Sequence, residues 1–498
     1  MKRIFRILAL TLIIAALFAG MGITSHAEDI SGTCGAEGSD VNFSANIDSG
    51  YLKISGTGEI DASRFRGMTF IKEVYISSGV TGIGDGAFVG CTNLWKITIP
   101  NTIKYMGPRA FDGCESLKEV YIDDLASWCK INRTNIFGGS SADSNPLYYA
   151  EKLYVDYELL SSDIKIPYGV KEIGEYAFAG FSNLTSVEIP ITVTSIGEGA
   201  FKGCPNLPKA EIPSTVTSIG DNAFSWCPKL TSVSIPSGIK TIGEMAFYEC
   251  DSLTSISIIP YSVTSIGKGA FAGCDSLKSI SVSESNKNYC AVDGVLYNKN
   301  NTTLVQYPAG KTTTSYTPQS TTMSIGDYAF YDCTNIKNIV LDKNISNIGC
   351  DAFNHCTNLE ATDIYNDKVT FYDNYVFYNC KKLTIYGNKG SVADTYAKAN
   401  DIKFKTFLWK NIITPQAVIN NGMINITVNV NKDIKNNKLF CAFYDAKGVL
   451  LKTQIIPVPS TSQPVKFTVA DDSRYSYMKA MLWSDMEPSA IVGRANIR

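Results

Sequence analysis

Histidine is nearly absent from this chain, with 2 among 498 residues, His26 and His355. Hydrolysis by a serine or cysteine nucleophile with an imidazole base therefore has almost no candidates, and no orienting partner is evident for His355. Charge is scarce too. Asp, Glu, Lys and Arg make up 18% of the residues, below the ~25% of ordinary globular proteins, so the polar surface leans on Ser, Thr and Asn. The 45 Lys plus Arg nearly balance the 47 Asp plus Glu, and the absence of a basic stripe excludes a nucleic-acid footprint. The 14 cysteines include no C-x-x-C pair, the usual grouping at a structural zinc site. No metal and no cofactor is expected.

One apolar run is present, from Ile7 to Gly20. Lys2, Arg3 and Arg6 precede it and Ser25-His26-Ala27 follows it. This pattern predicts a secretory signal peptide over residues 1–27 rather than a membrane anchor, because the run falls short of the ~20 residues that span a bilayer. Export to the medium or the cell surface follows, with no membrane span after cleavage and His355 as the one histidine left.

The dominant feature is self-similarity every 23 residues. Between Phe224 and Phe247 every column is filled: Cys227, Leu230, Val233, Ile235, Pro236, Ile239, Ile242, Gly243 and Ala246. The same register is marked by Phe88, Phe111, Phe178, Phe201, Phe271, Phe330, Phe353 and Phe377. Apolar residues two apart, such as Val233 and Ile235, form the inner face of a short strand, and Pro236 ends it because it has no N–H to donate. A second short strand runs from Ile239 to Ile242. Gly243 suits a position where backbones approach closely, and Ala-Phe-x-x-Cys has the spacing of one helical turn. No such unit can bury its own apolar column, so the units must stack into a solenoid with one continuous core.

These residues resemble the BspA-like leucine-rich-repeat family, whose hallmark elements appear here as Ser195-Ile196-Gly197 and Gly199-Ala200-Phe201. The resemblance covers about residues 70–400. It implies a mainly β, right-handed leucine-rich-repeat solenoid with short helical turns, in an exported or surface-exposed bacterial protein used for adhesion or protein interaction. The expected organisation is an N-terminal β cap over 28–69 and a solenoid over 70–409, followed by a small antiparallel β-sandwich over 410–498, where apolar alternation replaces the repeat. Inserts near 123–162 and 283–320 are expected as extended coils with hairpins. Ser391 to Asn400 reads as a short capping helix.

Nine cysteines fill the column three residues after Phe, and Phe181 replaces cysteine once. That exchange points to free thiols supplying buried apolar volume. Cys34, Cys129, Cys290, Cys350 and Cys441 lie outside the column, and five cannot all pair among themselves. His355, two residues after its Phe, reads as an exposed edge residue. Ala309-Gly310-Lys311-Thr312 imitates a phosphate-binding loop without its first glycine, Val305 standing there instead, and reads as a hairpin turn.

What remains is surface. The outward strand columns are Ser-rich in later coils and carry Tyr121, Glu188 and Glu211 in earlier ones, while Trp95 and Trp226 occupy positions that are usually small or polar. These five residues are the candidate partner contacts, since exposed aromatics are enriched at interfaces. The partner is expected to be a protein or glycan on a host or neighbouring cell surface. Two rivals stand beside this non-enzymatic reading: a secreted hydrolase using carboxylates in one of the inserts, where Asp123 and Asp124 lie, or in the tail module, and a wall- or carbohydrate-binding scaffold acting through the C-terminal module.

Overall fold

The structure is a computed structural model, and it describes residues 29–133, 144–160 and 162–406. Of the C-terminal stretch it describes 414–420, 423–429, 438–445, 450–457, 465–470, 472, 474–484, 487–488 and 493–496. The signal-peptide expectation lies outside the described residues. The chain divides into two compact units, Met1–Ile385 with Thr395–Lys403, and Tyr386–Asp394 with Phe404–Arg498.

The first unit is the β-solenoid that the 23-residue pattern demands. Parallel strands pair one repeat apart, Glu73 facing Lys96, Lys96 facing Glu119 and Ser218 facing Thr241. Val233, Ile235, Ile239, Ile242, Ala246 and Phe247 of one repeat are all buried, so the apolar columns merge into a continuous core. The phenylalanines stack ring on ring, with centroids 5.2 Å apart for Phe201 and Phe224 and 5.4 Å for Phe224 and Phe247. Offset stacking of this kind adds to the burial of the rings themselves. Glycine is required at the close approaches. A Cβ on Gly243 would stand 2.4 Å from the backbone nitrogen of Asp221 in the preceding coil.

The aromatic column runs one coil further toward the N-terminus than the ten aligned phenylalanines, because Phe65 stacks on Phe88 at 5.4 Å. Arg64 and Met68 stand where the repeat has Ala and Cys, which hides this coil from pattern matching. Ahead of it, Asp29–Thr33 and Asp40–Asn46 are antiparallel to each other, and the second of them to Tyr51–Ile60, whose far edge pairs in parallel with Glu73–Ile76. The first coil of the solenoid is thereby covered by antiparallel strands. Val392–Ala399 is helical, and its Tyr396, which belongs to this first unit, stacks on Phe371 at 4.0 Å.

Each turn around Phe consists of i→i−3 bonds, such as Ala87 N–H to Gly84 and Cys91 N–H to Phe88. Around each phenylalanine of the column from Phe65 to Phe353, left-handed residues stand two before and two after. Gly90, Gly113, Gly180, Gly203 and Gly273 fill the later position in some coils, and Trp226, Glu249, Asp332, His355 and Asn379 fill it in others, all at positive φ. His355 is therefore not the freely exposed edge residue expected from its column. It is half-buried at φ 61°, with Nδ1 2.7 Å from Asn354 Oδ1. The column varies because its constraint is on the backbone, which sequence variety reads as simple exposure.

The inserts keep the core continuous with substitutes. In the first, a short helix over Leu125–Trp128 places the Trp128 indole so that it donates to the Ala177 carbonyl at 2.8 Å, and the Asn145 amide donates to Tyr176. Lys152–Val155 then forms a hairpin with Glu158–Leu159. In the second, Tyr289–Val292 and Val295–Asn298 form a hairpin, after which Tyr307 takes the phenylalanine's place and stacks on Phe330 at 5.0 Å. Ala309-Gly310 is thus the turn of a coil, not of a hairpin. Lys311 points away from any phosphate cradle, its Nζ donating to the Asp293 carbonyl at 2.7 Å.

Among its described residues, the second unit contains two antiparallel sheets. One joins Thr414–Asn420, Met423–Asn429 and Val465–Ala470; the other centres on Lys438–Tyr444, between Leu450–Pro457 and Tyr477–Ser484. Ile424 and Ile426, two residues apart, are both buried, in keeping with a period-two strand. Among the described residues, no helix is long and apolar enough to cross a membrane.

Candidate interaction surface

Strands alternate sides, so residues next to the buried Val120 and Ile122 project from the solenoid. Along the N-terminal ladder this outer face carries Glu73, Lys96, Glu119 and Lys152 in one row, with ion pairs of 3.4 Å between Lys96 and Glu73 and 3.3 Å between Lys152 and Glu119. The adjacent row carries Tyr121 and Tyr154, whose rings are stacked 4.2 Å apart and 3° from parallel. Both hydroxyls donate to Glu119, at 3.0 and 3.3 Å. These bonds and the Lys152 ammonium hold the Glu119 carboxyl below its ordinary range against the opposing effect of burial, and Tyr121 is correspondingly raised, first by burial and then by Glu119. Lys96 Nζ lies 5.0 Å from the centre of the Tyr121 ring and 5.7 Å from that of Trp95, within cation–π reach of each.

The hairpin of the first insert adds Tyr157, 6.1 Å from Tyr121. Tyr157 is exposed and left-handed at φ 64°, as is Asp156 at φ 49°, which gives the tight turn both residues need. The result is an amphipathic aromatic patch set in a frame of paired charges. It is a surface for shape and stacking.

Of the five candidate contacts, Trp95 and Tyr121 meet here through Lys96. Trp95 is half-buried rather than exposed. Glu188 lies beyond the hairpin in a separate two-stranded ladder, where it pairs with Lys165 at 3.2 Å. Glu211 is exposed at the end of a further ladder. Trp226 belongs to the turn edge, 52% exposed, with its ring 5.7 Å from Tyr248. Column reading missed Tyr154 and Tyr157 because the insert places Tyr154 33 residues after Tyr121, outside the 23-residue register.

The rival carboxylates have structural partners. Asp123 accepts from the Asn101 backbone at 2.9 Å, and Asp124 caps the short helix by accepting from Ser127 N–H at 2.7 Å. The cavity beside them measures about 10 Å³, room for roughly one water molecule. Among the described residues there is no group of three or more His, Cys, Asp or Glu side chains arranged to hold a metal ion.

No curated protein matches the chain. Among solved structures, it is similar to a leucine-rich cell surface protein from Faecalibacterium prausnitzii, at 24% identity over 78% of this chain and 96% of that one, with a TM-score of 0.43. It is also similar to a leucine-rich repeat protein from Bacteroides ovatus, at 21% identity over 78% of this chain and 100% of that one, with a TM-score of 0.35. The pattern of the BspA type leucine rich repeat region matches residues 43–141, 156–278 and 307–400. With more than half of its length matched and the repeat written through its core, the chain belongs to the BspA-type leucine-rich-repeat family.

Proposed function

We propose that this protein is an exported, non-enzymatic scaffold that binds a protein at or beyond the cell surface through the outer face of its N-terminal coils. The observation that carries the reading is the Tyr121–Tyr154 stack with Tyr157 beside it. Tyrosines held by neighbours lose little freedom on binding, and their faces and hydroxyls serve apolar and polar contacts together. The paired Glu and Lys rows on either side supply a polar rim. Membership of the family supports interaction over catalysis, as does the structural use of Asp123 and Asp124.

The test is a binding screen of residues 28–498 against extracellular-matrix proteins and glycans. For a protein ligand so found, Trp95→Ala with Tyr121→Ala should weaken binding by more than about 1 kcal/mol. Ser234→Ala with Ser281→Ala, both exposed on later coils, should leave it unchanged. Loss in the serine pair with none in the aromatic pair would refute the assignment.

A further inference from the structure

A second aromatic system lies on the turn edge, formed from positions around the Phe column rather than from the strands. Trp226 contacts Tyr248 at 5.7 Å, Tyr248 contacts Tyr331 at 5.2 Å, Tyr331 contacts His355 at 5.7 Å, and His355 contacts Tyr378 at 6.0 Å. Tyr248 and Tyr331 come from coils separated by two others, which carry Ala272-Gly273 and Pro308-Ala309-Gly310 at the corresponding positions. The two rings therefore meet across a stretch of small residues. Glu249 leans into the same place, its carboxyl carbon 3.1 Å from where a Cβ on Gly273 would stand.

Carboxylates are interleaved with these rings. Glu249, Asp251, Asp275 and Asp332 interact electrostatically across the gap, and none forms an ion pair with Lys or Arg among the described residues. Charges elsewhere on the solenoid are handled differently, as the Glu73–Lys96 and Glu119–Lys152 pairs show. Burial first, and then repulsion within the group, raises each of Glu249, Asp275 and Asp332 above the ordinary carboxylate range. On Asp332 the neighbouring His355 opposes this rise in part.

We infer that this turn edge is a docking surface for a basic, arginine-containing segment of a partner protein. Charge complementarity selects that occupant. A guanidinium stacks on tyrosine and tryptophan faces and forks onto carboxylates, so one side chain uses both features of the surface and relieves the repulsion among the acids. An acidic or neutral segment would gain from the rings alone and would leave the carboxylates uncompensated. The surface lies apart from the strand face of the N-terminal coils, and its assignment does not rest on the function proposed for that face.

The test uses a fluorescent hexa-arginine peptide as probe, with the folded chain of residues 28–498 titrated at low ionic strength. Asp275→Asn with Asp332→Asn should weaken binding by about tenfold or more, the scale of lost charge-assisted bonds. Trp226→Ala, at an exposed position, should also weaken it. At about pH 8, above the raised Asp275 value, Glu188→Gln with Glu211→Gln removes the same formal charge from the strand face and should change affinity less than about twofold, as screened distant charges do. Thermal unfolding of each variant confirms that it is folded. Equal losses in the two carboxyl pairs would reduce the effect to net charge and overturn the assignment. So would failure to bind hexa-arginine, or equal binding of hexa-glutamate.

Discussion

The thiol of Cys227 donates a hydrogen bond to the carbonyl oxygen of Phe201, 3.2 Å away and one coil earlier. The same contact recurs at every cysteine of the column, at 3.0–3.2 Å in eight of them and at 3.9 Å from Cys333 to Tyr307. A cysteine there fills apolar volume and also donates weakly to a buried carbonyl. Volume alone, the reading suggested by Phe181, is half of the explanation. All fourteen cysteines are unbridged, including Cys34, Cys129, Cys290, Cys350 and Cys441.

Burial pushes the Cys91 and Cys227 thiols up to about 12, leaving almost no thiolate at neutral pH. Alkylation of the folded protein with iodoacetamide should therefore reach Cys290 and Cys350 first, the two thiols that are only partly buried. In denaturant without reductant, mass spectrometry should show all fourteen labelled. Quantitative bridging of neighbouring column cysteines would contradict the hydrogen-bonded ladder.

Backbone and side chain can be separated within one repeat. Phe224→Ala removes a fully buried ring stacked on both sides and should cost about 3–5 kcal/mol in urea unfolding. His355→Gly should do the opposite and stabilise by up to about 1 kcal/mol, because glycine accepts the left-handed φ of 61° without strain. A loss comparable to that of Phe224→Ala would mean that the His355 ring, half-buried between Tyr331 and Tyr378, packs more strongly than its contacts indicate.

The repeat made the solenoid legible because each column reports one physical demand many times over. Gly243 reports a backbone contact, Pro236 a strand end and Phe224 the core. Phe65, Trp128 and Tyr307 escaped this reading, since each fills a core place with neighbours that break the pattern. The surface was less legible for a related reason. Tyr121 and Trp95 sit in register and could be singled out, whereas Tyr154 reaches Tyr121 only through the pairing of a displaced strand. The Tyr248–Tyr331 contact spans 83 residues and depends on small residues between, which no column displays.

Asp275 gives the turn edge a measurable pH dependence. Its carboxyl is pushed up from 3.8 to about 7, chiefly by burial and then by Asp332, Asp251 and Glu249. The neighbouring thiols Cys274 and Cys333, raised far above neutral, stay uncharged. A carboxyl raised in the folded state binds its proton more tightly there than in the unfolded chain. Its contribution is therefore fully present below about pH 4 and is lost as pH rises through about 7. Neighbouring atoms crowd the carboxyl although the residue as a whole is exposed, so water still screens part of the repulsion and the effect on stability is smaller than the shift alone would give. Asp275→Asn removes the charge that becomes unfavourable at high pH. Urea unfolding should find the variant more stable than the parent at about pH 8, and the advantage should disappear near pH 4, where both side chains are neutral. An advantage of equal size at both values would assign the effect to packing and would remove Asp275 from the group of repelling acids.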